Sequence, residues 1–224
     1  AGRTGCRQPN PRAPDQRLAE RLRGEIAENL RRRGGAGSLL VVEGRWKGQR
    51  LDGIAAAMGT DPVAAAIAAI READAATVSF NMAEADIVAF MRQPWAFTGS
   101  DASTGHPRTW GSFARKHAVY VRERKISTLR DFIARSSALT ADAFGLADRG
   151  RLQTGGFADI AVFDPAAYAA RASYENPELP ADGMRYVLVN GTLAVDGGQL
   201  TGAAAGQALV NTRAQMLCRM KAKG

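Results

Sequence analysis

From Thr77 to Ser100 the sequence reads as strand, helix, strand, and that order constrains the fold more than any other feature of the chain. Thr77 to Asn81 is a strand by composition. Ala83 to Met91 is helical with Ile87, Phe90 and Met91 apolar, and Pro94 ends the helix before the apolar run Trp95 to Thr98. Two strands joined by a helix of this length form a right-handed crossover, so the pattern predicts parallel neighbours in one sheet. Their carboxyl ends then share an edge, with Asn81-Met82 and Ser100-Asp101 facing one cavity. Functional groups of parallel α/β sheets and barrels gather on that edge.

The residues after the second strand carry chemistry. Gly99 lets the backbone bend out of the sheet, Asp101 follows, and His106 and Arg108 come within seven residues of it. Pro107 between them fixes one backbone dihedral and holds the two side chains in a defined relation. A guanidinium suits bidentate binding of a carboxylate. An Asp after a strand also serves as a helix cap or turn residue, with a nearby Arg as its ion-pair partner. Spacing alone leaves both readings open.

With 224 residues, 46% of them hydrophobic, the chain can bury one sizeable core or two small ones. No stretch approaches the roughly 20 apolar residues of a membrane span, and the first residues lack the apolar core of a secretory signal, so no membrane partner and a cytoplasmic location are expected. The chain opens Ala1-Gly2-Arg3 without an initiator Met, as a processed, tagged or truncated product would. A net charge of +8 raises nucleic acid as a partner. Yet only five of the 30 basic residues are Lys, and Ala and Gly abound, which is a compositional bias rather than a binding device. No nucleic-acid partner is expected. Cys6 and Cys218 are far apart in sequence and indicate neither a disulfide framework nor a structural zinc site.

In chain order, residues 1 to 14 are an irregular lead-in. A helix from Asp15 carries Leu18, Leu22, Ile26 and Leu30 on one face, with Arg31 to Arg33 in its last turn and Gly34-Gly35 as its stop. Ser38 to Glu43 is a strand, Leu51 to Met58 a helix ended by Gly59, and Asp61-Pro62 the cap and first residue of another. Residues 1–76 thus read as an inserted or scaffold segment. Trp110 to Arg124 forms a helix in which His117 is a packed or surface residue, Ser127 caps the next helix, and Thr140 caps one that Gly145 closes. From Gly150 the period changes: Ala158 to Asp164 is a strand, and Arg185 to Val195 a hairpin turning at Asn190-Gly191. Residues 77–148 are read as βα structure with the loop that carries Asp101, 149–206 as a small β domain and 207–224 as a tail.

A resemblance rests on these motifs. Asp148-Arg149-Gly150, Leu152 to Ile160 and Phe163-Asp164 resemble the closing segment of the amidohydrolase superfamily. Ser79 to Met82, Gly99-Ser100-Asp101, His106-Pro107-Arg108, Gly111-Ser112-Phe113, Thr140 to Gly150 and Val189-Asn190-Gly191 resemble the D-aminoacylases, or N-acyl-D-amino-acid deacylases, over roughly residues 77 to 206. The first 75 residues correspond more loosely. The resemblance implies an α/β fold: the carboxyl-terminal part of a metal-dependent (β/α)₈ barrel, with 77–81 and 95–100 as its last two strands, plus part of a small β domain. It implies Asp101 as general acid/base on metal-activated water, with a weaker possibility of metal ligation. It implies substrate binding by Arg108, which grips a carboxylate, and by Ser100 and His106. The cofactor implied is zinc, which lowers the pKa of bound water, and the substrate is a small N-acyl amino acid.

The sequence departs from the family pattern in its ligands. It has two histidines, one in the His-Pro-Arg motif and one on a helix, no lysine on a predicted barrel strand, and Cys6 ahead of all of them. The remaining metal ligands are therefore expected from an amino-terminal barrel segment or a partner chain. Arg3, aligned loosely with a small hydroxyl residue of the family, favours an acidic substrate group. The alternative expectation is a non-catalytic assembly or binding subunit on the same scaffold.

Overall fold

The computed structural model describes residues 16–73 and 76–209, divided between two units bounded as Ala1–Asn81 and Met82–Gly224. Arg3, Cys6, Cys218, the lead-in and the tail beyond residue 209 lie outside the described residues.

In the first unit, helix α1 (Gln16–Arg32) buries only the lower part of its predicted stripe. Ile26 and Leu30 enter the core, whereas Leu18 and Leu22 are exposed. Arg31 and Arg32 occupy the last turn as predicted and both pair with Glu28. A 3₁₀ turn at Ala36–Ser38 takes Ser38, and the expected strand is shortened at both ends to β1 (Leu39–Val41). Helix α2 (Leu51–Met58) ends at left-handed Gly59. Asp61 then caps α3 (Pro62–Ala73), its Oδ1 accepting the Val63 and Ala64 N–H groups at 2.9 and 3.0 Å. Leu30, Val41, Leu51, Ile54, Ala55 and Ala65 form the core of this unit.

Strand β2 (Thr77–Ser79) departs from expectation. It pairs antiparallel with β1, Leu40 opposite Val78, and not parallel with residues 95–98. Residues 95–98 are not a strand. The reason lies in backbone hydrogen bonding. Segment 77–79 finds its ladder on β1, flanked by Val42 N–H to Ala76 O and Phe80 N–H to Ser38 O. Around the apolar run Trp95 to Thr98, Ala96 donates into a turn at Gln93 and Thr98 to the helix residue Arg135. An apolar run without a strand beside it has no ladder to join.

The second unit begins with α4 (Glu84–Met91), which buries none of its residues. Helix α5 (Arg108–Arg115) continues directly into a π-helical stretch, Lys116–Glu123, so the helix expected at 110–124 starts two residues earlier and widens halfway. Thr128, not Ser127, caps α6 (Leu129–Ser136), accepting the Asp131 N–H at 3.1 Å, because the helix starts one residue later than expected. Thr140 is no cap either: α7 (Ala138–Phe144) already includes it, and its hydroxyl donates to Arg135 O at 2.7 Å. Left-handed Gly145 closes α7 as predicted.

Strands β3 (Ile160–Phe163), β4 (Met184–Val189), β5 (Thr192–Asp196) and β6 (Gln199–Leu200) form one antiparallel sheet in chain order. The β4–β5 turn has Asn190 at φ 50° and Gly191 at φ 80°, the two positive values of a type I′ turn. Ala114, Val121, Phe132 and Tyr168 make the core that joins the helices to this module, with Phe163 and Met184 packed on it. His117 is buried there, its Nδ1 3.1 Å from Tyr168 O and its ring among Phe132, Phe163 and Tyr168. It is a packed histidine, as expected. No single described helix is long and apolar enough to cross a membrane.

Candidate functional site

The segment leading to the site is fastened by cations from the helices behind it. Arg135 on α6 donates to Met91 O and Gln93 O at 2.8 and 2.7 Å, satisfying carbonyls left over at the end of α4. The chain then passes Trp95, whose ring meets Phe90 edge-on at 6.1 Å, and reaches Thr98. The Thr98 hydroxyl oxygen accepts from Lys116 Nζ at 2.8 Å and Ser136 Oγ at 3.0 Å. Half-buried Ser100 follows, and at Asp101 the backbone turns into the left-handed region at φ 47°. Asp tolerates that region better than most residues. The turn sends the chain back toward α5 in a short loop.

That loop is closed by its own polar groups. Ser103 N–H donates to Thr109 Oγ1 at 3.0 Å, Thr109 Oγ1 donates to Ser103 O at 2.8 Å, and Pro107 caps α5. Arg108, the first residue of α5, reaches back: Nη1 lies 2.9 Å from Asp101 Oδ2 and Nη2 donates to Ser103 Oγ at 3.0 Å. Its Nε is buried and has no hydrogen-bond partner among the described residues. The Asp101 side chain is 85% exposed. An ion pair this open contributes at most about 1 kcal/mol, so it does little for stability while leaving the carboxylate accessible.

His106 supports the loop from beneath. Its Nδ1 accepts the Arg108 N–H at 3.0 Å, which places the proton of the neutral ring on Nε2. Burial, then the charge of Arg108, holds its pKa below the usual imidazole value, with Asp101 opposing. The ring also meets Tyr174 edge-on at 5.3 Å, and burial pushes the Tyr174 hydroxyl up. A cleft of about 310 Å³ opens beside these groups, lined by Ser103, His106, Thr109, Trp110 and Glu178 among others. The structure thus brings Asp101, Arg108 and His106 together in one loop, with Ser100 next to Asp101. What this arrangement offers is a solvent-accessible carboxylate beside a guanidinium with donors to spare, which suits proton transfer next to a bound anion.

A metal does not fit the described residues by themselves. No group of three or more His, Cys, Asp or Glu is placed to hold one, Asp101 is engaged by Arg108, and His117 is committed to its own core.

A profile of the amidohydrolase family matches residues 25–195, most of the chain. The chain belongs to the amidohydrolase family. Among individual amidohydrolases it is 42% identical over 148 residues to the N-acyl-D-glutamate deacylase of Alcaligenes xylosoxydans xylosoxydans, covering 64% of this chain and 30% of that protein. The D-aminoacylase of the same organism is 38% identical over 144 residues, again covering 30% of that protein. A crystal structure of N-acyl-D-glutamate deacylase from Bordetella bronchiseptica, complexed with zinc and a phosphonate mimic of the tetrahedral intermediate, superposes with a TM-score of 0.68 at 36% identity, covering 77% of this chain and 39% of that one. A D-aminoacylase crystal structure gives a TM-score of 0.70 at 33% identity, covering 76% of this chain and 37% of that chain. The chain therefore spans about a third of the length of the amidohydrolases it matches.

Sequence reasoning missed several groups at this site. The Ser103–Thr109 clasp had a local signal, a hydroxyl next to the arginine in the loop sequence. Lys116, Ser136 and Tyr174 had none, since each reaches the loop from a distant part of the chain.

Proposed function

We propose that this chain is the carboxyl-terminal portion of a zinc-dependent N-acyl-D-amino-acid deacylase. In it, residues 77–81 and 95–100 become the last two barrel strands once the rest of the barrel, on a preceding segment or a partner chain, lies beside them. Residues 149–206 are its small β domain, and the zinc ligands come chiefly from that other segment. One observation carries the reading: in a chain of the amidohydrolase family, an exposed carboxylate at Asp101 sits 2.9 Å from the guanidinium of Arg108. Asp101 takes a proton from the attacking water and returns it to the leaving amine nitrogen. Arg108 takes the substrate carboxylate, exchanging part of its present bond to Asp101 for the new anion, while Ser100 and the His106 Nε2–H give further donors.

The decisive substitution is Asp101→Asn, assayed on the assembled, zinc-loaded enzyme with N-acetyl-D-glutamate. A kcat lower by about 10²- to 10⁴-fold with zinc content unchanged supports the reading. A wild-type rate overturns it and leaves the non-catalytic assembly subunit as the account of this chain.

A further inference from the structure

Lys116 is the most conspicuous polar group that the proposed chemistry does not use. It is half-buried, it sits where α5 widens into the π stretch, and its ammonium donates to Thr98 Oγ1 at 2.8 Å. Lysine usually keeps its ammonium in water. Here burial, together with the charge of Arg135, lowers its pKa, so the position costs free energy that an exposed lysine would not incur. The hydrogen bond to Thr98 offsets part of that cost.

The partner is informative. Thr98 receives Lys116 and Ser136 on its hydroxyl oxygen, which fills both lone pairs, and its own N–H donates to Arg135 O at 3.4 Å. Only Gly99 and Ser100 separate Thr98 from Asp101, a reach of at most about 10 Å. On its other side the loop is tied down by Arg108 and Thr109, the first residues of α5. Arg108 and Lys116 belong to one continuous helical rod, Arg108 to Glu123. Both ends of the loop that presents Asp101 are therefore pinned to the same rod, about two turns apart.

We propose that Lys116 is a positioning residue: through Thr98 it holds the entry of the Asp101 loop at a fixed distance from Arg108. The proposal rests on the reading of Asp101 as the acid/base group. The π widening begins at Lys116 itself, and such widenings recur at functional sites. Geometric errors near 1 Å in a catalytic group cost of order 10²-fold, so a fixed loop entry matters for rate.

The test combines hydrogen exchange with kinetics on the full, zinc-loaded enzyme, using N-acetyl-D-glutamate. In Lys116→Met, the amides of Thr98, Ser103 and His106 are expected to exchange about tenfold faster while those of β4 keep wild-type protection; kcat falls about tenfold and KM stays within about twofold, matching loss of one hydrogen bond to a charged group. Thr98→Val is expected to reproduce both effects, the double variant to add nothing, and Lys116→Arg to restore most protection and rate. Unchanged exchange at the three amides, or acceleration spread equally over β4, overturns the proposal. The two readings fail separately: Asp101→Asn at the wild-type rate refutes the acid/base reading, whereas an inactive Asp101→Asn beside an unperturbed Lys116→Met refutes the positioning role alone.

Discussion

The sheet of β3 to β6 and the segment from Glu84 to Asp101 belong to the same unit and differ in how they satisfy themselves. Each strand of the sheet finds an antiparallel partner next to it in chain order, and the module is sealed onto the helices by Phe132, Tyr168 and Phe163. No residue of helix α4 is fully buried, and Phe90, Trp95 and Phe97 remain 57%, 62% and 38% exposed. The same segment carries the candidate acid/base group. The difference separates a stretch of chain that closes its contacts with sequence neighbours from one that leaves apolar rings exposed beside its functional carboxylate.

The contrast is open to attack from the stable side first. Phe132→Ala removes a ring 5% exposed from the core beneath the sheet, and is expected to cost about 3–5 kcal/mol in urea unfolding. A loss under about 1 kcal/mol would mean that the sheet does not depend on those helices. Next comes Arg149, whose side chain is 10% exposed and which pairs with Asp159, donates to Asn190 Oδ1 at 2.6 Å and lies over the Phe157 ring at 3.9 Å. Replacing it with Met removes a donor from the Asp159 carboxylate and from the Asn190 amide oxygen, and a loss of about 1–3 kcal/mol is expected by the same measurement.

On the site side the expected effects on stability shrink and those on function grow. Arg108→Met breaks the exposed pair with Asp101 and should shift stability by less than about 1 kcal/mol. In steady-state kinetics of the assembled enzyme it should raise KM at least about tenfold, since a charge-assisted contact to the substrate carboxylate is lost. The smallest effect concerns His106. Its folded pKa lies below the unfolded one, so its contribution to stability is complete above the ordinary imidazole range and drains away as pH falls through the lowered value. The Tm advantage of wild type over His106→Gln should therefore be constant above about pH 7 and narrow below about pH 6. An advantage that grows on acidification would reverse the sign and show that the charged ring is the favoured one.

How much was legible follows from how far apart the partners are. The Asp61-Pro62 cap, the Gly145 stop and the Asn190-Gly191 turn are decided by a few adjacent residues, and the sequence displays them directly. The Asp101–Arg108 meeting was readable for the same reason, because a short Gly- and Pro-containing loop leaves the two side chains little choice. The pairing of β2 was not readable. Its partner lies almost forty residues earlier, and nothing in Thr77-Val-Ser79 states whether a neighbour will be parallel or antiparallel. The run at 95–98 has the composition of a strand, but composition supplies no ladder. Ser127 and Thr128 offer the same capping hydroxyl one residue apart, and only the helix start selects between them. The role of Lys116 is not written locally, because its partner Thr98 lies eighteen residues earlier and no pattern in the sequence pairs the two.

The Asn190-Gly191 turn has a consequence for chemical ageing. Asn-Gly is the dipeptide most prone to succinimide formation, in which the glycine nitrogen attacks the asparagine side-chain carbonyl and the amide is lost. Here both reactants are occupied: the Gly191 N–H donates to Ala158 O at 3.0 Å, and the Asn190 amide is held between Arg149 and Ala205 O, each at 2.6 Å. Ring closure therefore requires the turn to release these contacts. Deamidation at this turn becomes a clock for how long the β module has spent open, readable by peptide mapping of aged samples. Faster ageing of this peptide in Arg149→Met than in wild type is the expected sign, and equal rates would show that the turn, not the arginine, does the shielding.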